Sequence, residues 1–298
     1  MDLPYPVILA VPIFVITVCV EAVWSRVGSG ASYELRDSLA SITMGTGNFI
    51  LGFFVVFPFM YALYWFYQYR VFEIGFEWWS FVLIFFAQDL AFYWLHRLSH
   101  EHRVWWAAHV NHHTSQHFNF STALRQPWTD FPCLVWIVWI PLALIGFPPQ
   151  LILFQIGANL VFQFWLHTEL VDTLWRPIEY IFNTPSHHRV HHAINPRYLD
   201  RNHAGTLIIW DRMFGTFVAE NKAEDPCRYG IVKQIDTFNP LRIAFHEWAA
   251  IFRDLAKPGP IKDKLRYLFG PPGWSPDGST KTSAQIRADF RSEARVDA

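Results

Sequence analysis

The 298-residue sequence is poor in charged residues. Asp, Glu, Lys and Arg make up 16% of the chain, whereas hydrophobic residues make up 52% and aromatic residues 18%. Soluble domains carry roughly 25% charged residues, so this composition argues against that class and indicates a membrane protein. The formal net charge of −1 gives no reason to expect nucleic-acid binding.

Cysteine is also scarce. Cys19, Cys133 and Cys227 lie far apart and form no C-x-x-C pair. Their spacing argues against a disulfide framework and against a thiolate metal site. Any metal chemistry must therefore use other side chains.

The N-terminus lacks the basic segment of a secretory signal. It carries Asp2 and then an apolar run over residues 3–20, with no small-residue cleavage pattern after it. We therefore expect a retained membrane helix. Further stretches free of Asp, Glu, Lys and Arg cover residues 38–69 and 131–168, and another apolar helix is expected over residues 78–95.

The stretch 131–168 is interrupted by the sequence Gly-Phe-Pro-Pro at residues 146–149. Each arm would reach about 25 Å, which is slightly short of a hydrocarbon core of about 30 Å. The hairpin either just crosses the bilayer or dips into it, and both ends return to one side. We predict an all-α polytopic protein with four to five transmembrane or re-entrant helices and a cytoplasmic, histidine-rich helical cap.

Three regions are predicted along the chain. Residues 1–170 form the membrane body with the first three histidine groups, residues 171–255 a cap with the last group, and residues 256–298 a polar, partly flexible tail. If His96 faces the cytoplasm, every Lys and Arg except Arg70 lies on the histidine side. The positive-inside rule then places the site at the cytoplasmic membrane surface.

Nine of the fourteen histidines form four groups, each placed where an apolar segment meets a polar one. Residues three or four apart share one face of a helix, so each spaced group directs its imidazoles to one point. Nine ligands are too many for one ion and suit two ions with four or five ligands each. The groups are His96 and His100; His109, His112 and His113; His167; and His188, His191 and His192.

Carboxylates beside these groups are candidates for orienting the ligands. Asp89 would be costly within an apolar helix, so we expect it to orient a metal-bound imidazole, with Tyr93 between it and His96. The alternative is an interfacial Asp that contacts water or Arg97. Further candidates, any of which could equally be a surface carboxylate, are Glu101, Glu169 and Asp211.

The remaining histidines are interpreted by their spacing. His102, His117 and His246 lack helical register with the groups and are expected to be ordinary interfacial residues. His187 and His203 are each candidates for a tenth ligand or for the lining of the pocket.

The metal is inferred from the chemistry that the site could perform. A zinc hydrolase needs one activated water and few ligands. A histidine-rich site for two ions against apolar helices instead favours iron, which activates O2, with a lipid entering from the bilayer. Zinc is redox-inert, although nine imidazoles would also bind it during purification. A membrane zinc-binding structural protein is the non-enzymatic alternative.

The order of these motifs resembles the fatty acid hydroxylase/sterol desaturase superfamily. The likeness covers residues 85–218: His-x-x-x-His, then two His-x-x-His-His motifs, the second followed by Trp-Asp-Arg-Met-Phe-Gly-Thr-Phe at residues 210–217. Residues 106–126, 183–192 and 204–212 resemble the alkylglycerol monooxygenase subgroup more narrowly.

The resemblance implies a non-haem di-iron oxygenase that inserts one oxygen atom into a C–H bond of a membrane lipid. In the subgroup that carbon adjoins an ether oxygen, and the hemiacetal product collapses to an aldehyde and glycerol. Tetrahydrobiopterin supplies electrons there, while sterol and fatty-acid relatives use cytochrome b5 or ferredoxin-type donors. The sequence has no visible haem or iron–sulfur segment, so a separate donor is expected. Desaturation, hydroxylation or methyl oxidation of a sterol, carotenoid or fatty acid is the alternative.

The sequence departs from the superfamily pattern at three positions. Val171 stands where fatty acid hydroxylases carry a second histidine, four residues after the one that matches His167. This leaves water, His187 or His203 to complete one metal site. The subgroup usually has Tyr where this chain has His203, and Glu where it has Gln116, which puts the substrate and the reductant in question.

Overall fold

The computed structural model describes residues 3–28 and 32–296, and these residues contain helices but no β-strand. The predicted all-helical fold is confirmed over that range. Two short 3₁₀ helices, Thr122–Leu124 and Val135–Trp139, accompany the α-helices. The α-helices are α1 Pro6–Val27, α2 Leu35–Tyr67, α3 Trp78–Glu101, α4 Arg103–His113, α5 Ile140–Ile145, α6 Pro149–Phe164, α7 Arg176–Ile181, α8 Pro185–His192, α9 Ile209–Phe214, α10 Pro240–Ala256, α11 Ile261–Phe269 and α12 Ser283–Val296.

Helices α1, α2 and α3 are long and apolar enough to cross a membrane. Many of their large apolar side chains point outward, including Phe54 and Phe57 on α2. A soluble protein rarely exposes such a continuous apolar surface, whereas a bilayer covers it. The chain is therefore an integral membrane protein.

The apolar stretch after residue 130 is broken where the sequence predicts. Gly146 has φ +129°, a backbone conformation that favours glycine, and it separates α5 from α6. Helix α6 has 16 residues and α5 has six. At about 1.5 Å per residue neither helix alone reaches across a core of about 30 Å, and whether the hairpin crosses the bilayer or dips part-way stays a prediction.

Helix α6 packs against α1 and α3 and completes the membrane body. The main apolar core joins α2, α3 and this hairpin through Leu63, Ile84 and Leu151, all fully buried. The core packs the segments of α3 and α6 that lead to His96 and His167, so it fixes where these histidines lie.

The remaining helices cover the histidine-bearing end of the body. Ile243 and Ala244 of α10 pack on Ala40 and Met44 near the start of α2. The guanidinium of Arg103, at the start of α4, donates to Glu247 at 2.6 Å. Helix α10 thus joins the membrane body to the helix that carries His109, His112 and His113.

The region 256–298, predicted to be a polar tail, contains α11 and α12. The Arg103 amide donates to the Gly270 carbonyl at 3.0 Å, and Arg287 of α12 donates to the Leu199 carbonyl at 2.8 Å. Both contacts hold this region against the rest of the chain. The division into three regions at residues 170 and 255 stays a prediction.

Arg125 fastens α2 to the segment that follows α4. Its guanidinium is 1% exposed and donates to Asp37 Oδ1 at 2.6 Å, to Ser41 Oγ at 3.0 Å and to Thr114 Oγ1 at 2.9 Å. Removing one partner of a buried ion pair leaves the other charge uncompensated.

We predict that Arg125→Ala lowers the free energy of unfolding by about 3–5 kcal/mol, because Asp37 is left buried without its partner. Denaturant titration in micelles measures the change. Lys222→Ala is the control: it breaks the exposed pair between Lys222 and Asp172, and we expect less than about 1 kcal/mol. Equal effects of the two substitutions on the free energy of unfolding would contradict the role of Arg125 as the partner of a buried charge.

Candidate metal centre

Four elements bring the nine histidines together. The last turns of α3 carry His96 and His100, α4 carries three histidines near its end, His167 follows α6, and α8 carries three more. Eight of the nine are buried, and His109 is half-buried. Helices, rather than flexible loops, therefore position all of the imidazoles but one.

The imidazoles form two groups, in which the candidate ligand nitrogens lie within 4.8 Å of one another. Helix α4 contributes His109 and His113 to one group and His112 to the other. Helix α8 also contributes to both groups. This arrangement matches the sequence prediction of two sites with four or five histidines each. The five-histidine group is His96, His100, His109, His113 and His191; the four-histidine group is His112, His167, His188 and His192.

Backbone carbonyls fix the orientation of several rings. His96 Nδ1 lies 2.9 Å from the His203 carbonyl, His112 Nδ1 lies 3.2 Å from that of Arg125, and His167 Nδ1 lies 2.9 Å from that of Gln163. A carbonyl can only accept, so each Nδ1 must carry the proton. In a neutral ring Nε2 then carries a lone pair.

These tautomers leave lone pairs facing each other. His112 Nε2 and His167 Nε2 lie 3.2 Å apart, although neither carries a proton to donate. The Nε2 atoms of His100 and His191 are buried without a hydrogen-bond partner. Converging lone pairs repel unless a cation lies among them. The donor set therefore fits two metal ions that prefer imidazole ligands, such as iron, zinc or copper.

Burial keeps four of these imidazoles neutral. Burial, with a smaller effect from neighbouring imidazoles, lowers the pKa of His109, His113 and His191 well below the usual value. Burial also lowers the pKa of His112 to about 4. Neutral imidazole is the form that binds metal, so these four residues require no deprotonation near pH 7.

The prediction that Asp89 orients an imidazole directly is wrong, and Asp89 does not pair with Arg97 either. Its carboxylate instead accepts from the amides of Thr206 and Leu207 at 2.7 and 2.9 Å and from the Trp210 indole at 2.9 Å. The physical reason is that these amides precede α9 and have no helical partner of their own.

Asp211 also binds backbone amides of the loop before α9, which contains the amides that Asp89 accepts from. It accepts from the amides of His203 and Ala204, both at 2.8 Å, and from Thr216 Oγ1 at 2.6 Å. Because the His203 carbonyl accepts from His96 Nδ1, the two buried aspartates affect an imidazole through the backbone. The buried Tyr93 hydroxyl contacts Thr216 and accepts from Arg97.

The other two candidate carboxylates also lie away from the imidazoles. Glu101 is exposed and accepts from Arg97 Nε at 2.8 Å, as the surface alternative predicts. Glu169 accepts from the Tyr229 hydroxyl at 3.0 Å, and the ring of Tyr229 stacks on Phe118.

The two candidates for a tenth ligand differ in position, and neither belongs to a group. His187 Nε2 pairs with Glu179 at 2.9 Å. His203 lies closer to the centre, with its ring 5.1 Å from that of His100, and its buried Nδ1 has no partner. The histidines predicted to be interfacial, His102, His117 and His246, also lie outside both groups.

Sequence reasoning missed Asp200. Its Oδ1 lies 3.1 Å from His100 Nδ1, and among the residues that the structure describes it is the one carboxylate within 4.0 Å of a grouped imidazole. Asp200 lies in an irregular loop, so no spacing rule relates it to α3.

Residues 81–216, which include all nine histidines, match the model of the fatty acid hydroxylase family. The alkylglycerol monooxygenases of Xenopus tropicalis and Homo sapiens are each 39% identical over 92% of this chain and 61% of their own length. That of Danio rerio is 45% identical over 66% of this chain and 43% of its length. The chain thus spans about three fifths of the length of the first two relatives. No solved structure matches it.

We predict that the metal-free protein loses stability as pH falls below about 6.5, the usual pKa of an unfolded histidine. In this range the unfolded chain binds protons that the buried imidazoles do not, and the contribution of His112 levels off only near its folded pKa of about 4. Unfolding temperature at pH 7.5, 6.5 and 5.5 is the measurement. A constant unfolding temperature over this range would show that the imidazoles protonate freely in the folded state.

Proposed function

We propose that the chain, whose residues 81–216 match the fatty acid hydroxylase family, is a membrane-bound non-haem di-iron oxygenase that hydroxylates a C–H bond of a lipid with O2. The observation that carries the proposal is the convergence of nine imidazoles in two adjacent groups. The site carries the functional information, since a helical membrane body alone supports many activities.

The five-histidine group would hold one iron and the four-histidine group the other. Iron, when bound, supplies the O2 activation that oxidation of an unactivated C–H bond requires. Zinc would fit the same imidazoles but is redox-inert. A zinc-binding structural protein is accordingly the non-enzymatic alternative, and metal-dependent O2 consumption separates the two.

The chain's own residues prepare a dry, rigid site. Phe118 stacks on His167 with ring centroids 5.6 Å apart, and Trp106 lies against His100 and His113 at 5.0 and 5.5 Å. These aromatic walls exclude water, and exclusion protects the reacting carbon from side reactions. The apolar faces of α3 and α6 beside the site suit an alkyl chain that arrives from the bilayer.

An O-alkylglycerol is the leading substrate in this proposal. Two relatives at 39% identity carry the name alkylglycerol monooxygenase, which supports this substrate. Oxygen inserted at the carbon beside the ether oxygen would give a hemiacetal, which collapses to an aldehyde and glycerol. Oxidation of a sterol, carotenoid or fatty acid at the same centre is the second reading, because desaturation and hydroxylation both begin with hydrogen abstraction.

The reaction needs a separate electron donor. Only one oxygen atom of O2 enters the product, so two electrons and two protons must reduce the other atom to water. Tetrahydrobiopterin or a cytochrome b5 or ferredoxin-type protein would supply the electrons. The positive-inside pattern supports a site, and hence a donor, on the cytoplasmic side.

We predict that iron-loaded protein in membranes, given an alkylglycerol, tetrahydrobiopterin and O2, forms fatty aldehyde. His112→Ala should abolish turnover and lower the iron content, because it removes one of the four imidazoles of its group. His246→Ala is the matched control, since that ring lies outside both groups and its Nδ1 contacts the Ile243 carbonyl.

Full activity in His112→Ala would refute the ligand assignment. Bound iron with no aldehyde would refute the combination of alkylglycerol with tetrahydrobiopterin and direct the same assay to other lipids and donors. Zinc-loaded protein should be inactive in either case.

A further inference from the structure

His100 differs from the other imidazoles in what holds its ring. Where His96, His112, His167 and His191 each contact a backbone carbonyl through Nδ1, His100 contacts the Asp200 carboxylate at 3.1 Å. His100 Nε2 is buried without a partner and is free for a metal ion. A carboxylate is the stronger acceptor, because its charge assists the hydrogen bond.

Asp200 is held in an unusual backbone conformation. Its φ is +48°, in the left-handed region that residues other than glycine rarely adopt. Its side chain is 24% exposed and lies beside a cavity of about 270 Å³, which Asp200, His100 and Arg287 line together. The contact with His100 therefore lies where the metal centre approaches the surface.

Helix α12 contributes to the position of Asp200. Arg287 Nη1 lies 3.8 Å from Asp200 Oδ2 and donates to the neighbouring Leu199 carbonyl at 2.8 Å. Two successive contacts, from Arg287 to Asp200 and from Asp200 to His100, thus link α12 to the five-histidine group. The four-histidine group has no such contact within the described residues.

We propose that Asp200 is a positioning residue that orients His100 and strengthens its bond to the ion of the five-histidine group, and that Arg287 acts through it. The inference rests on the proposed metal centre. A carboxylate that accepts from the distal nitrogen of a ligand imidazole fixes the tautomer and raises the basicity of the ligand. The two metal positions then differ in affinity as well as in ligand number.

The test is a titration of the metal-free 298-residue chain with Co²⁺ in micelles, followed through the Co²⁺ absorption bands against a competing chelator. We expect Asp200→Asn to weaken binding of one of the two ions by roughly 10–100-fold and to leave the other unchanged. Asparagine keeps an acceptor oxygen and tolerates the left-handed backbone, so the fold should persist.

Asp200→Gly separates positioning from folding. Glycine adopts the backbone conformation of Asp200 without strain, which offsets part of the stability lost with the contacts to His100 and Arg287, so the metal-free unfolding temperature should change little. Affinity for the same ion should nevertheless fall as it does with asparagine. A purely structural role for Asp200 would instead move affinity and stability together.

Two further variants serve as controls. Glu101→Gln removes a carboxylate from the wall of the same cavity without touching an imidazole, and it should leave both affinities unchanged. Arg287→Ala should weaken binding of the same ion in the wild-type background. It should have no further effect on that affinity in Asp200→Asn, because Arg287 acts through Asp200.

The outcomes distinguish this inference from the proposed function. Two ions bound by the wild type and unchanged affinities in Asp200→Asn and Asp200→Gly would overturn the role of Asp200 alone. A wild-type chain that binds no Co²⁺ would overturn the metal centre and the inference with it.

Discussion

The structure depends on the orientation of its buried imidazoles. Hydrogen bonds from Nδ1 to carbonyls, as in His112 and His167, leave Nε2 lone pairs directed at one another. Neutral rings in this arrangement repel, and burial removes the water that would otherwise separate them. The site is therefore incomplete as a set of side chains alone, and cations are the partners that its chemistry requires.

Much of the remaining fold serves this arrangement. Because α4 and α8 each carry ligands of both groups, a shift of either helix would disturb both metal positions. Arg125 holds the segment after α4 through its side chain, while its carbonyl orients His112. Asp89 and Asp211 hold the loop before α9 through four backbone amides, and that loop supplies the carbonyl that orients His96.

The sequence predicted the helical class, the break near Gly146 and the set of histidines that assemble, because helical periodicity and long apolar runs act locally. It could not predict the partner of Asp89, since the side chain reaches amides more than a hundred residues away. Asp200 was missed for the same reason: its approach to His100 depends on the path of an irregular loop. Long-range contacts of loops follow from packing and leave no periodic signal.

X-ray absorption spectroscopy at the iron edge of iron-loaded protein counts the metal ions and identifies their ligand atoms. The account predicts two iron atoms per chain, each with a ligand shell dominated by imidazole nitrogen at about 2.1 Å and without sulfur. One iron per chain, or a sulfur shell at about 2.3 Å, would contradict a centre built from two groups of histidines.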